Sequence, residues 1–566
     1  MQYIKSRNQL TFDVTPPWRG VLSEKKVKRL ENTWAGVFRS YITPNLPVQT
    51  IAAHYSERMG RPTKELITVM GAVVLQQIFD LTDERAVDEV AFNQQWHYAL
   101  DSYDPDDQMM AERTLWGMRH LMIETGIDQD VFKRVTDHLA DAFNVDTRFQ
   151  RLDSVHIRSN MARLGRVRLL ARIITRFLKN LKRHNGAVFE SLPERYLRRY
   201  LKEKSEGYFG KVKPSGSQVR LVEIADDLYG LIRMYAGNSD IEKMYSYGLL
   251  NRVFSEQCRV DEDNRVIVIP AKEVASDSLQ NPSDVDATYD GHKGQGYQVQ
   301  VMETYHPDES ENNNDSNNEN DVLDLITYVA VEPAHSHDSK AVVPALADVS
   351  ERDQRPDVLL ADTLYGSDKN VESAKEDGTE LISPVAGKEG NKDYSGIEFN
   401  EQFQIERCPA GHSPEKVKDN RSKGSKTAIW DVSVCVGCPL RSQCSVKEGK
   451  RGYRLQYMVK DIRVWQRRQK EKTEEFEEKY RWRAGVEASI SRFIHQTGAR
   501  RVRYRGLQRV QFAEVIKALG INMFRTATYV RKNSQIASLS CLFRQFRLYL
   551  SSKYRQWLPI QRLCWT

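Results

Sequence analysis

The sequence predicts a mixed α/β core interrupted by large insertions. Two short apolar runs, 149–157 and 357–362, read as strands, and each carries an aspartate. Residues 296–302 alternate in polarity and are followed by an apolar partner run at 325–331. Before these strands and after them, apolar residues recur at three- and four-residue spacing, the mark of helices. A chain of 566 residues exceeds one compact core, so two to four units are expected.

Taken in order, residues from about Pro62 to Phe143 read as helical. Leu66, Val69, Met70, Val73, Val74 and Ile78 form one stripe, and Leu115, Met118, Leu121 and Met122 form another. Turn formers at 101–105 separate them. The strand at 149–157 follows, then a basic helical stretch extending with breaks to about Asn264. The strands at 296–302 and 325–331 flank an Asn/Asp/Glu-rich run ending at Asp321, which is too polar to bury and is expected to be a flexible loop. A helix should follow Asp338, a suitable N-cap. The run 357–362 reads as a buried strand with Asp362 at its C-terminal end, where open α/β sheets bind ligands.

Charged residues make up 28% and hydrophobic residues 40%, which excludes a disordered chain. No apolar stretch follows the first five residues, and the run 66–79 is short and contains Gln76 and Gln77. Neither a signal peptide nor a membrane span is expected, and a cytoplasmic, nucleoid-associated location is. The net charge of +7 is modest, but its distribution is not. Fourteen Lys and Arg stand against three Glu between Arg158 and Lys204, and 492–509 holds no acid. Such clusters neutralise DNA phosphates, although a solvated helix face has the same composition.

An acid inside an apolar strand is destabilising without a partner or a metal, which singles out Asp153 and Asp362. Phosphodiester chemistry needs charge neutralisation and an activated oxygen, and two divalent ions held by converging carboxylates supply both. A third carboxylate is expected from a helix spanning 480–493. There Tyr480, Arg483, Glu487 and Ser491 share one face, while Val486, Ile490 and Phe493 face the core. Each acid alone has a plainer reading. Asp153 and Asp362 could be turn or cap residues, and Glu487 could simply pair with Arg483.

At these residues the chain resembles the DDE transposases of bacterial insertion sequences, in the branch with a Tyr-Arg-Glu-Lys motif. Tyr480, Arg483 and Glu487 match that motif, whereas Ile494 stands where its lysine is expected. The segments 152–154, 286–289 with 296–297, 337–338, 361–365 and 500–507 resemble further family motifs in the same order. The resemblance implies an RNase H-like core, a reaction dependent on Mg²⁺ or Mn²⁺, and Asp153, Asp362 and Glu487 as metal-binding catalytic residues. Water would attack the phosphate at the element's end, and the freed 3′ hydroxyl would then attack target DNA. Tyr480, Arg483, Arg492, Arg500, Arg501, Arg503 and Arg505 would contact DNA, and a homodimer would unite two inverted-repeat ends. The rival readings are a nuclease without strand transfer and a catalytically inactive DNA-binding derivative.

Cysteine supplies one more expectation. Cys408, Cys435, Cys438 and Cys444 fall within a short span that includes a Cys-x-x-Cys knuckle, which suits structural Zn²⁺. His412 is an alternative ligand. Cys258, Cys541 and Cys564 are isolated and read as packing residues. The expected organisation is a helical DNA-binding and dimerisation domain over 1–145 and a catalytic core over 146–500. That core carries a basic helical insertion at 160–285 and a zinc-ribbon-like insertion at 395–455. A basic helical tail occupies 501–566.

Overall fold

A computed structural model describes residues 2–3, 18, 22–56, 59, 61–102, 108–202, 216–307, 322–387, 393–420, 424–449 and 452–557. Most of the acidic loop expected before Asp321 lies outside these residues, as do the side chains of Cys541 and Cys564.

The N-terminal helices include α1 (Leu66–Ile78), α2 (Asp83–Phe92), α3 (Glu112–Glu124) and α4 (Ile127–Phe143). Every residue of α1 is buried, because apolar residues surround the helix and leave no polar face to water. Its two glutamines find partners inside. Gln76 donates to Asp83 (2.6 Å) and accepts from Arg119 (2.8 Å), while Gln77 donates to the Tyr504 hydroxyl (3.0 Å).

Six strands form a mixed sheet: β1 (Phe149–Arg158), β2 (Thr288–Asp290), β3 (Gly294–Thr304), β4 (Ile326–Pro333), β5 (Val358–Ala361) and β6 (Glu380–Ile382). Their order is β6-β5-β1-β3, with β2 and β4 both pairing the far edge of β3. β1 runs antiparallel to β3 and parallel to β5, and β5 runs parallel to β6. The middle strand β3 is buried from Gly296 to Thr304, as expected for a strand covered on both faces.

Between β1 and β2 lies an insertion built on α5 (Arg166–His184), α6 (Ser217–Tyr235) and α7 (Tyr245–Gln257). It has its own apolar cluster. α5 buries Leu170, Ile174, Phe177 and Leu181 and exposes Arg168, Arg172, Lys179 and Arg183, so the basic stretch is an amphipathic helix.

One face of the sheet is covered by α8 (Val342–Ser350) and α9 (Asp368–Glu376), packed on Leu152, Met302, Leu359 and Ala361. After β6 comes a four-stranded antiparallel sheet of β7 (Lys416–Asn420), β8 (Ser425–Trp430), β9 (Lys447–Gly449) and β10 (Gly452–Met458), in the order β7-β8-β10-β9. β10 leads into α10 (Val459–Lys470), α11 (Glu474–Tyr480), α12 (Gly485–Gln496) and the long α13 (Leu507–Trp557).

Residues 512–523 of α13 are all buried, and one apolar cluster joins this stretch to the N-terminal helices, α12 and the second face of the sheet. α13 is fixed at both the start and the middle of this contact. Asp284 accepts the Gly506 N–H (3.0 Å) and Asp286 the Leu507 N–H (2.9 Å), which caps the helix. Asn522 bonds both backbone groups of Ile326, at 2.7 and 2.8 Å, and so closes part of the exposed edge of β4.

Two expectations are corrected. Asp338 does not cap a helix, because His337 caps the short 3₁₀ turn Asp338–Lys340 while Asp338 itself is buried against the sheet. The segment 480–493 is not one helix, because the 3₁₀ turn Arg481–Ala484 separates α11 from α12. Val486 and Phe493 do face the core, as their spacing implied.

Within α13, Glu514 is fully buried and pairs with Lys517 (3.4 Å), which also lies 3.8 Å from Asp80. Burial pushes the Glu514 carboxyl up from 4.5 to about 7, against the pull of Lys517. The folded protein therefore holds the extra proton between pH 4.5 and about 7. Glu514 thus makes stability fall as pH rises through that window and level off above it. Glu514→Gln should remove this component, read as the difference between wild-type and variant denaturant melts across pH. An unchanged pH profile would refute the assignment.

Candidate active site

Strand alternation decides which way each residue of β1 points. Leu152 packs under α8 and α9, so Asp153 faces the opposite side, where α12 lies. The register then brings the second acid close. Leu152 pairs with Ala361 across the parallel β1–β5 ladder, so Asp153, midway along β1, stands beside Asp362, just past the end of β5.

The Asp153 carboxylate accepts the Ser154 N–H (2.8 Å) and the Arg483 Nη2 (2.9 Å), and it is 14% exposed. Burial pushes its carboxyl up. Ser154 and Arg483 pull it down, but Asp362 and Asp338 add to the push, and the net shift is upward. Asp362 accepts the Thr363 N–H (2.6 Å), which caps the 3₁₀ turn Thr363–Tyr365. Its carbonyl accepts the Ser383 hydroxyl (2.8 Å), and Arg467 donates to the carbonyls of Gly366 (2.9 Å) and Ser383 (3.3 Å). The loop after Asp362 is thus held from behind.

Glu487, in the first turn of α12, is 72% exposed, and its carboxylate lies 3.5 Å from Arg483. Arg483 therefore sits between Asp153 and Glu487. Burial opposes its charge, but Asp153, Tyr480, Asp362 and Glu487 outweigh burial and raise it. Tyr480 stands beside this group, and burial pushes its phenol up. Among the described residues, no three His, Cys, Asp or Glu side chains are gathered around one point as a ready-made metal cage. The two aspartates converge, while Glu487 is separated from them by the guanidinium.

Sequence reasoning missed three supports of this site. Asp338 accepts from Gln298 and Gln300 and lies beside the Tyr365 hydroxyl, which donates to Gln300 (2.7 Å). It forms a buried acidic network beneath the two aspartates. Arg151 and Arg525 both clamp Glu303, each at 2.7 Å, and Arg151 also donates to the Trp482 carbonyl (2.8 Å). The sequence signals were an acid near the end of β3 and an arginine within β1, two residues before Asp153. The third support, Arg467, shows no signal in its charged helix.

The expected DNA-contacting cations are distributed unevenly. Arg492 lines a groove with Arg525 and Lys532, over a floor of Gly485, Ala488 and Ser489. Arg500 and Arg501 are exposed beside the end of β1, where the Arg158 N–H donates to the Arg500 carbonyl (3.0 Å). Arg503 pairs with Asp80 (3.0 Å), and Arg505 donates to the Asn160 carbonyl (2.7 Å). Ile494 is partly buried against the main core.

The four clustered cysteines flank the small sheet rather than lie in it: Cys435 is in the short helix Val432–Val436, and Cys408, Cys438 and Cys444 are in loops. Cys408, Cys435 and Cys444 share one apolar cluster. Burial pushes the Cys435 thiol up, and Cys444, Cys408 and Cys438 push it further. The His412 carbonyl accepts the Cys408 N–H (3.0 Å), which closes the turn between them. These residues do not form a three-ligand group. Cys258 is buried, and burial pushes its thiol up to about 11, as suits a packing residue.

Two family models match the chain. Residues 407–527 match a transposase DDE domain, and residues 31–121 match a transposase domain designated DUF772. No curated protein matches. The first match spans the cysteine-flanked sheet, Tyr480, Arg483 and Glu487, and continues into α13. The second spans α1, α2 and most of α3. Together they support a transposase family, and a DDE domain implies a divalent metal cofactor. Among the described residues no helix is long and apolar enough to cross a membrane.

The Arg151 clamp makes a stability prediction. Arg151→Ala leaves Glu303, which is 0% exposed, with Arg525 alone and frees the turn before α12. A loss of about 3 kcal/mol is expected in denaturant unfolding, near the lower end for a broken buried pair. A loss indistinguishable from zero would show that the clamp does not hold the fold.

Proposed function

We propose that this protein is a DDE transposase that cuts DNA at the ends of a mobile element and joins them to target DNA. The observation that carries the reading is the convergence of Asp153 and Asp362 at the end of β5, with Arg483 and Glu487 beside them. The strand order, with an antiparallel β1-β3-β4 meander followed by parallel β5 and β6, supports an RNase H-like core. The matches at both ends of the chain support the transposase assignment.

The donor set fits divalent ions. Burial, with Asp362 and Asp338 adding to it, pushes the Asp153 carboxyl up, and a third, largely exposed carboxylate has room to turn inward. Asp153, Asp362 and Glu487 would hold Mg²⁺ or Mn²⁺, which supplies neutralisation of phosphate charge and an activated oxygen. The remaining work belongs to the protein. Tyr480 and Arg483 orient the scissile phosphate, and the fixed loop behind Asp362 keeps that carboxylate aimed. Arg492, Arg500, Arg501, Arg503 and Arg505, with the exposed stripe of α5, grip the duplex through its phosphates. Water attack breaks the bond between the end phosphate and the element's 3′ oxygen, leaving a 3′ hydroxyl on the element and a 5′ phosphate on the flank. That hydroxyl then attacks a target phosphate and displaces the target strand's 3′ oxygen.

In the same reading, the helices of 1–145 bind DNA and support a homodimer that holds two ends together. The core of 146–500 carries the basic insertion of 160–285 and a zinc-ribbon-like insertion of 395–455, and 501–566 forms a basic tail. Cys408, Cys435, Cys438 and Cys444 hold structural Zn²⁺, with His412 as the alternative ligand. The shared apolar cluster of Cys408, Cys435 and Cys444, with Cys438 close enough to push the Cys435 thiol up, favours this reading. The protein acts in the cytoplasm, at the nucleoid.

Two measurements test these statements. Asp153→Asn, Asp362→Asn and Glu487→Gln should each abolish cleavage of the flanking inverted repeats while gel-shift binding persists. Pre-cut ends should yield joined products with the wild type. Cleavage at the wild-type rate in all three variants would end the enzymatic reading, and cleavage without joining would favour a nuclease. Elemental analysis of gently isolated protein should find about one zinc per chain, lost in Cys435→Ser. Zinc-free, folded wild type would remove the ribbon.

A further inference from the structure

We propose that Arg483 is an exchangeable counter-ion. It neutralises Asp153 in the metal-free protein and moves to a DNA phosphate when divalent ions enter, so metal and DNA strengthen each other's binding. The inference rests on the active-site reading above and adds a regulatory device to it.

The geometry is that of a shared cation. One guanidinium reaches Asp153 at 2.9 Å and lies 3.5 Å from Glu487, thereby occupying the space between two of the three carboxylates assigned to the metals. A guanidinium cannot shed its proton, so it cannot yield by becoming neutral. It must move, because a cation beside an incoming divalent ion is repelled by several kcal/mol even at a screened effective dielectric near 20.

Arg483 is built to move, unlike its neighbours. Its Nε is buried without a hydrogen-bond partner, so its present seat leaves a donor unused. It is 20% exposed, at a short 3₁₀ turn between two helices. That turn is pinned through the Trp482 carbonyl by Arg151, so the side chain can swing while its backbone stays fixed. Arg151 and Arg525, by contrast, are locked on the fully buried Glu303. The planar fork that binds a carboxylate binds a phosphate equally well, which gives the displaced arginine a destination in the substrate itself.

The consequence is reciprocal coupling. DNA that draws Arg483 away uncovers Asp153 for metal, and metal that expels Arg483 releases it for DNA, by the same factor in both directions. Without DNA the acidic site is self-neutralised and its metal affinity is held low. A free transposase would then be poorly loaded until it holds DNA.

Mn²⁺ binding to the full chain, followed by electron paramagnetic resonance, tests this without any turnover. In the absence of DNA, Arg483→Gln should bind Mn²⁺ at least about tenfold more tightly than the wild type, and Arg483→Lys should remain close to the wild type. Adding a mixed-sequence DNA duplex should tighten Mn²⁺ binding to the wild type and leave Arg483→Gln nearly unchanged. Equal affinities in wild type and Arg483→Gln would overturn the inference while leaving the metal site standing. Absence of Mn²⁺ binding in both would overturn the active-site reading and the inference with it. If Arg483→Gln does not fold, the wild type decides alone, because Mn²⁺ affinity indifferent to DNA overturns the coupling.

Discussion

The fold depends on one fully buried carboxylate. Glu303 sits in the central strand β3, at 0% exposure, and such a group is untenable without compensation. Arg151 from the neighbouring strand and Arg525 from α13 supply it together. Arg525 also donates to Ser489 of α12 (2.6 Å), and Arg151 donates to the turn that precedes α12. A single desolvated charge thus ties sheet, α12 and α13 into one unit. The helix bearing Glu487 is thereby oriented toward the strands bearing the aspartates. Apolar packing alone would leave its rotation loosely fixed, because hydrophobic contact is not directional.

Charge also governs the site at the end of β5. Asp153, Asp362 and Asp338 lie close enough for each of the latter two to push the Asp153 carboxyl upward. Asp338 is stabilised by the side-chain amides of Gln298 and Gln300, which donate hydrogen bonds but add no positive charge. Among the described residues, Arg483 is the cation paired with Asp153 on the exposed side of this group. An acidic cluster with so little internal neutralisation is suited to an external cation, and its polar substructure keeps the backbone of the site rigid. The loop after Asp362 is closed from behind by Ser383 and Arg467, so one wall is fixed while the Glu487 side remains open.

The helix α10 connects this wall to the cysteine-flanked sheet. Arg463 pairs with Asp368 (2.7 Å) at the start of α9, and Arg467 reaches the loop one turn later. The small sheet feeds directly into α10 through β10. Its place in the chain, between Asp362 and Glu487, therefore matches a mechanical role as an anchor for the helix that braces the site. The other insertion, on α5 to α7, keeps a separate apolar cluster and presents its cations to solvent.

The sequence by itself determined the elements whose signal is local. Alternation located β3, an apolar run ending in an acid located β5 with Asp362, and three- and four-residue spacing located α1 and the buried face of α12. Asp153, Asp362, Arg483 and Glu487 stood out as candidates because acids in apolar strands and paired charges on a helix contrast with their neighbours. Other features were not local and stayed hidden. The 3₁₀ break at 481–484 lies where Arg151, far away in sequence, holds the Trp482 carbonyl, and Asp338 binds Gln298 and Gln300 of β3 rather than capping a helix. Only the tertiary structure decided that Arg483 would stand between Asp153 and Glu487. Strand register and the rotation of a helix about a buried charge set that distance, and neither quantity is carried by the spacing of residues along one segment.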